Sequence, residues 1–150
     1  MKTKKLVAAY NILNDARLSK MEDEDKFKVI KNLRKIKKTA TEYQSFVEDA
    51  QKKLQPEDFE EMNKKAQEWN GKHAGAKSSD LSAEERVEFE KINEYFKAYS
   101  EKVEKCLKEE AEKEVEVDII PLSEEAFGKL IASNDWACKD IMELSDVFSE

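Results

Sequence analysis

Between Lys26 and Leu54 the apolar residues Val29, Leu33, Ile36, Ala40, Tyr43, Val47, Ala50 and Leu54 alternate steps of four and three. That repeat lays one apolar seam along a helix, and a seam this long is stable only when other helices cover it. A second run, Phe89, Ile92, Phe96, Tyr99, Val103 and Cys106, follows the same alternation and supplies the expected partner. The chain therefore reads as mainly α, an elongated antiparallel helical hairpin or bundle whose long helices cover about 20–54 and 83–112. Three Gly and two Pro in 150 residues are too few turn-formers for a many-stranded sheet.

The remaining signals fill in a single helical domain over 1–150. Thr3 is placed to cap a first helix whose Leu6, Ala9, Tyr10 and Leu13 share a face. Ser19 with Glu22 spells a capping box, so the first long helix is expected to start near Lys20, with Glu22 to Asp25 at the positive end of its dipole. Pro56 suits the first turn of a third helix bearing Phe59, Met62, Ala66 and Trp69, which Asn70-Gly71 would stop. A loop over 71–80 follows, and Ser82 with Glu85 opens the second long helix. At Val115, Val117 and Ile119 the apolar period drops to two, the pattern of a short half-buried strand. Its ladder partner would be Lys2 to Lys5 or the same strand of a second chain. Strand and helical cap together make up 115–150. In the cap Ser123 starts one short helix with Phe127, Leu130 and Ile131, and Ser133 or Asn134 starts another with Ala137, Ile141, Leu144 and Phe148.

No stretch carries a reactive constellation, so an enzyme is not expected. GKHAGAKS, Gly71 to Ser78, departs from the phosphate-loop pattern by placing Ala76 where the second glycine belongs, and no hydrophobic strand precedes it. His73, the one histidine, has no cysteine near it and no recognisable zinc-ligand spacing. Cys106 and Cys138 are too far apart for a metal motif and read as buried free thiols of a reducing compartment. No cofactor and no metal is expected. No apolar run reaches the ~20 residues of a membrane span, which points to a cytoplasmic protein with no membrane partner.

Charge is where the pattern is sharpest. Lys28, Lys31, Arg34, Lys35 and Lys38 fall at heptad positions opposite the first seam, an outward basic stripe on which no aromatic residue is expected to stack bases. The chain as a whole carries −7, which opposes non-specific nucleic-acid binding, so a nucleic-acid accessory protein is the alternative rather than the leading reading. The acids nearest to hand are Glu109, Glu110 and Glu112, which open a negative run reaching Asp118. A surface built from these eight residues, meeting a protein partner or a second copy in a homo-oligomer, is the leading expectation.

Four segments, LVAAYNIL, KNLRKIKK with EYQSF, the middle helical return and VEVDIIPLSEEAF, resemble an uncharacterised class of small long-helical proteins encoded by tailed bacteriophages and prophages. The resemblance covers most of the chain. It implies a setting in the bacterial cytoplasm during phage growth and a morphogenesis or accessory role, with no transferable site residues.

Overall fold

A computed structural model describes residues 1–148. Among them the chain forms six α-helices: α1 Thr3–Leu13, α2 Asp23–Lys53, α3 Phe59–Lys72, α4 Ala83–Ala111, α5 Glu124–Ala132 and α6 Cys138–Phe148. A 3-10 turn at Ser78–Asp80 precedes α4. The fold is mainly α. Its contacts group into two compact units, residues 1–47 together with those from Lys108 onward, and Glu48–Leu107.

The first unit holds the core. Leu6, Ala9 and Leu13 of α1, Val29 and Ile36 of α2, Leu122 just ahead of α5, Ala126 and Leu130 of α5, and Leu144, Val147 and Phe148 of α6 are all buried and in one cluster. The periods read from the sequence for α1 and α2 are the ones buried. Asp23, Glu24 and Asp25 occupy the first turn of α2, where the helix dipole favours them. That helix begins at Asp23 rather than near Lys20, because the Ser19–Glu22 segment forms a turn tied to the C-terminal cap. There the Lys20 N–H donates to Ser133 Oγ at 3.0 Å. Ser133 and Asn134 do not cap α6 either. Asn134 Oδ1 accepts from the Arg17 N–H at 2.7 Å, and its Nδ2 donates to the Arg17 carbonyl at 2.8 Å. Ser123 does cap α5, accepting from the Ala126 N–H at 3.1 Å.

Val115–Ile119 is not a strand. Among the described residues the one β-bridge joins Lys2 to Glu114, flanked by bonds from Thr3 N–H to the Lys113 carbonyl and from Val115 N–H to the Met1 carbonyl. The N-terminus is thus the partner, but only over one bridge. The alternation is nevertheless real, since Val115, Val117 and Ile119 are half-buried against the core while Glu116 and Asp118 are exposed. Side chains of α2 supply what a ladder would have supplied. Asn32, 0% exposed, donates from Nδ2 to the Ile120 carbonyl at 2.8 Å and accepts the Ile120 N–H at 2.8 Å. Lys35 Nζ donates to the Asp118 carbonyl at 2.6 Å.

In the second unit α3 packs antiparallel to the first half of α4. Phe59 meets Phe96 and Tyr99 at ring-centre distances of 5.9 and 5.0 Å, and Trp69 meets Phe89 at 4.9 Å. The seam that the sequence assigned to the first long helix is therefore covered by α3 over Phe89 to Tyr99. Tyr99 also donates to the Gln51 carbonyl at 2.6 Å, satisfying an orphan carbonyl at the end of α2. Phe59 follows a turn, closed from its N–H to the Pro56 carbonyl at 3.1 Å, so Pro56 lies ahead of α3. Asn70-Gly71 does not stop α3, which runs on to Lys72. Among the described residues the positive φ belongs to Gly75, at 76°, a torsion that suits glycine. Ser82 opens α4 as expected, accepting from the Glu85 N–H at 3.2 Å. Both cysteines are free, but Cys138 is exposed and Cys106 only half-buried, because α6 turns its first residue outward.

Candidate functional site

On α2 the buried seam at Val29, Ile36 and Ala40 fixes which residues point away from the core. At 100° per residue, Phe27, Lys31, Arg34 and Lys38, spaced four, three and four apart, lie along the opposite line. Phe27 is 63% exposed and Ile30, on the flank, 36%. The expectation that no aromatic belongs to this face is corrected by Phe27, which occupies the same heptad position as Arg34 one repeat earlier. The heptad spacing alone puts Phe27 on this face.

The structure divides the five stripe cations. Lys28 is engaged by Asp25 at 3.5 Å and Glu24 at 4.0 Å, and Lys35 by the Asp118 carboxylate at 3.3 Å. Among the described residues Lys31, Arg34 and Lys38 have no carboxylate within salt-bridge distance, so the line opposite the core is cationic and unneutralised. Beside it a shallow cleft of about 430 Å³ is lined by Arg34, Lys35 and Lys38 together with Glu42, Glu116 and Asp118. Mixed charge makes this a poor phosphate cradle.

The acids Glu109, Glu110 and Glu112 are not brought to the stripe. Glu110 pairs with Lys113 at 2.5 Å. Glu112 accepts from Lys2 at 2.7 Å and also from Lys4, while Glu109 is exposed. The N-terminal lysines claim Glu112 because the Lys2–Glu114 bridge carries them there. Hydrogen bonds from Lys2 and then Lys4 hold the Glu112 carboxyl down at about 2, and Glu112 in turn raises Lys2. A carboxyl depressed below its usual 4.5 adds stability above that value and loses it as pH falls toward about 2. Acidification from pH 5 to 2 should therefore release the N-terminus, read as lost amide protection at Thr3 and Val115. Glu112→Gln should flatten that acid response. Both partners are well exposed, so screening keeps the effect local.

The outer face of α4 carries the opposite charge. Its α3-facing side is marked by Phe89 and Phe96, which leaves Val87, Glu94 and Glu101 on the far side, while Glu90 borders the cleft lined by Trp69 and His73. Val87 is 51% exposed and the two acids are exposed as well. Lys91 and Lys97 flank the line.

His73 caps the end of α3. The GKHAGAKS string thus spans a helix C-terminus and a loop, where the dipole disfavours a phosphate. Among the described residues no cluster of three or more His, Cys, Asp or Glu is arranged to hold a metal ion, and no helix is long and apolar enough to cross a membrane. Compared with known proteins, the chain is matched by no family model, no curated protein and no solved structure.

Proposed function

We propose that this chain is a non-enzymatic assembly protein that associates with copies of itself head to tail. The Phe27–Lys38 line of one copy meets the Val87–Glu101 line of another. What supports the reading is one observation: two exposed helix faces begin with a bare apolar residue and continue with charges of opposite sign, Lys31, Arg34 and Lys38 against Glu94 and Glu101. Two different faces meeting head to tail make a heterologous contact, which builds rings or open chains.

Magnitudes set the strength. The two lines are about 17 Å and about 21 Å long at 1.5 Å per residue, so one contact covers far less than the ~800 Å² per partner of a stable interface. Exposed ion pairs add ~0–1 kcal/mol each, and covering Phe27 adds at most about 2 kcal/mol. Association is weak and grows with concentration. On the resemblance to small phage and prophage proteins, such assembly would serve morphogenesis or an accessory step in the host cytoplasm. Sedimentation from about 10 µM to 1 mM should show mass rising with concentration for the natural chain. Phe27→Ala should reduce the rise several-fold, and a monomer at every concentration would remove the proposal.

A second reading has its own support, because Phe27 gives the cationic line an aromatic on which a base can stack. Single-stranded nucleic acid retained on a filter at low salt, and lost with Phe27→Ala, would favour it over self-association.

A further inference from the structure

Both ring nitrogens of His73 face groups that can only accept. Nδ1 lies 2.8 Å from the Trp69 carbonyl oxygen, and Nε2 lies 2.5 Å from the Glu85 carboxylate in the first turn of α4. The hydroxyl and backbone N–H of Ser82 also bond to that carboxylate, which keeps Glu85 ionised and without a proton to give. A neutral imidazole has one donor and one acceptor and leaves one of these contacts unmade; the imidazolium has two donors and makes both. The ring also stacks on the indole of Trp69, with centres 4.2 Å apart and planes 24° from parallel, an arrangement that favours a cation. Its side chain is only 16% exposed.

We propose that His73 is a proton-operated clasp, which joins the end of α3 to the start of α4 when it is an imidazolium and lets the 74–82 loop open when it loses its proton. The clasp stands over a cleft of about 660 Å³ whose wall includes Trp69, Ala76, Leu81 and Phe89. Opening the loop changes how much of that aromatic wall is exposed. The charges facing the ring come from α4, with Glu85 in contact and Glu88 at longer range, while Arg86 and Glu90 line the same cleft. From α3 the ring meets the Trp69 carbonyl.

The direction follows from these partners. The Trp69 carbonyl, and after it Glu85, raise His73 above its ordinary 6.5 against the opposing effect of burial. A raised value in the folded chain means that the clasp's contribution is complete below pH 6.5 and disappears as pH rises through the folded value. The switch therefore opens on the alkaline side.

Because His73 is the one histidine, its ring proton can be followed by NMR without assignment, in the full chain and without any variant. Trp136→Phe leaves Trp69 as the sole indole for fluorescence. The expected result is a His73 midpoint above 6.5, a change in Trp69 emission with the same midpoint, and loss of amide protection over 74–82 above it. Glu85→Gln should lower the midpoint and weaken the emission change, and His73→Gln should abolish that change. A midpoint at or below 6.5 in the natural chain, or Trp69 emission and loop protection that stay flat through the His73 titration, would overturn the proposal.

Discussion

Replacing Asn32 with Ala should destabilise the first unit by about 2–4 kcal/mol, since the Ile120 N–H and carbonyl each lose a partner and each such loss costs ~1–3 kcal/mol. For a chain of this size that is a fall of roughly 5–15 °C in melting temperature. Asn32 is fully buried, and its amide does for Ile120 what a neighbouring strand would do, giving and taking one hydrogen bond. Asn32→Asp separates this role from simple packing. Its ionised carboxylate could still accept from the Ile120 N–H but would point an oxygen at the Ile120 carbonyl; once protonated, it could donate there again. The folded state thus raises the new carboxyl above its unfolded value, and stability gained by protonation is lost as pH rises through the folded value. Relative to the natural chain, the Asn32→Asp variant should recover stability on acidification, whereas Asn32→Ala should show no such recovery. Equal pH profiles for the two variants would mean that Asn32 only fills space.

The next largest effect contrasts the two units. Leu130 is 0% exposed in the centre of the first core, so Leu130→Ala should cost about 2–5 kcal/mol, combining lost burial with a cavity that helices on several sides cannot close. Met62 of α3 is only half-buried, and α3 has no fully buried residue. Met62→Ala should cost about 1 kcal/mol, since most of what it loses was already in water. Native-state hydrogen exchange should order the units in the same way, with α3 and the first half of α4 opening before α1 and α5. Slower exchange in α3 than in α5 would contradict that ranking.

Helix identity was legible wherever one period ran long enough. Leu6, Ala9 and Leu13, and Val29, Ile36 and Ala40, are buried as their spacing requires. Termini were less legible, because Ser133 and Asn134 carry cap chemistry that they spend on tertiary bonds across more than a hundred residues. The Val115–Ile119 alternation reports only that every second side chain is half-buried. It says nothing of what satisfies the backbone, and here a helix side chain, Asn32, does so. Of the candidate surface, Lys31, Arg34 and Lys38 were visible as an outward line, whereas pairing of Glu112 with Lys2 and Lys4 depends on where the N-terminus lies. The contact between His73 and Glu85 likewise needs a loop path that no periodicity encodes.

Head-to-tail assembly is tested most directly by exchanging the charges of its two faces. Variant one carries Lys31→Glu, Arg34→Glu and Lys38→Glu; variant two carries Glu94→Lys and Glu101→Lys. Each alone sets like charges against each other at the contact, so neither should self-associate at concentrations where the natural chain does. Mixed in equal amounts, each offers the face that the other needs. Sedimentation of the mixture should then recover species heavier than either variant alone, with recovery weakening above ~0.1 M salt as the screening length falls below about 10 Å. A mixture that sediments as the sum of its two monomers, while the natural chain still associates, would contradict this pairing of faces.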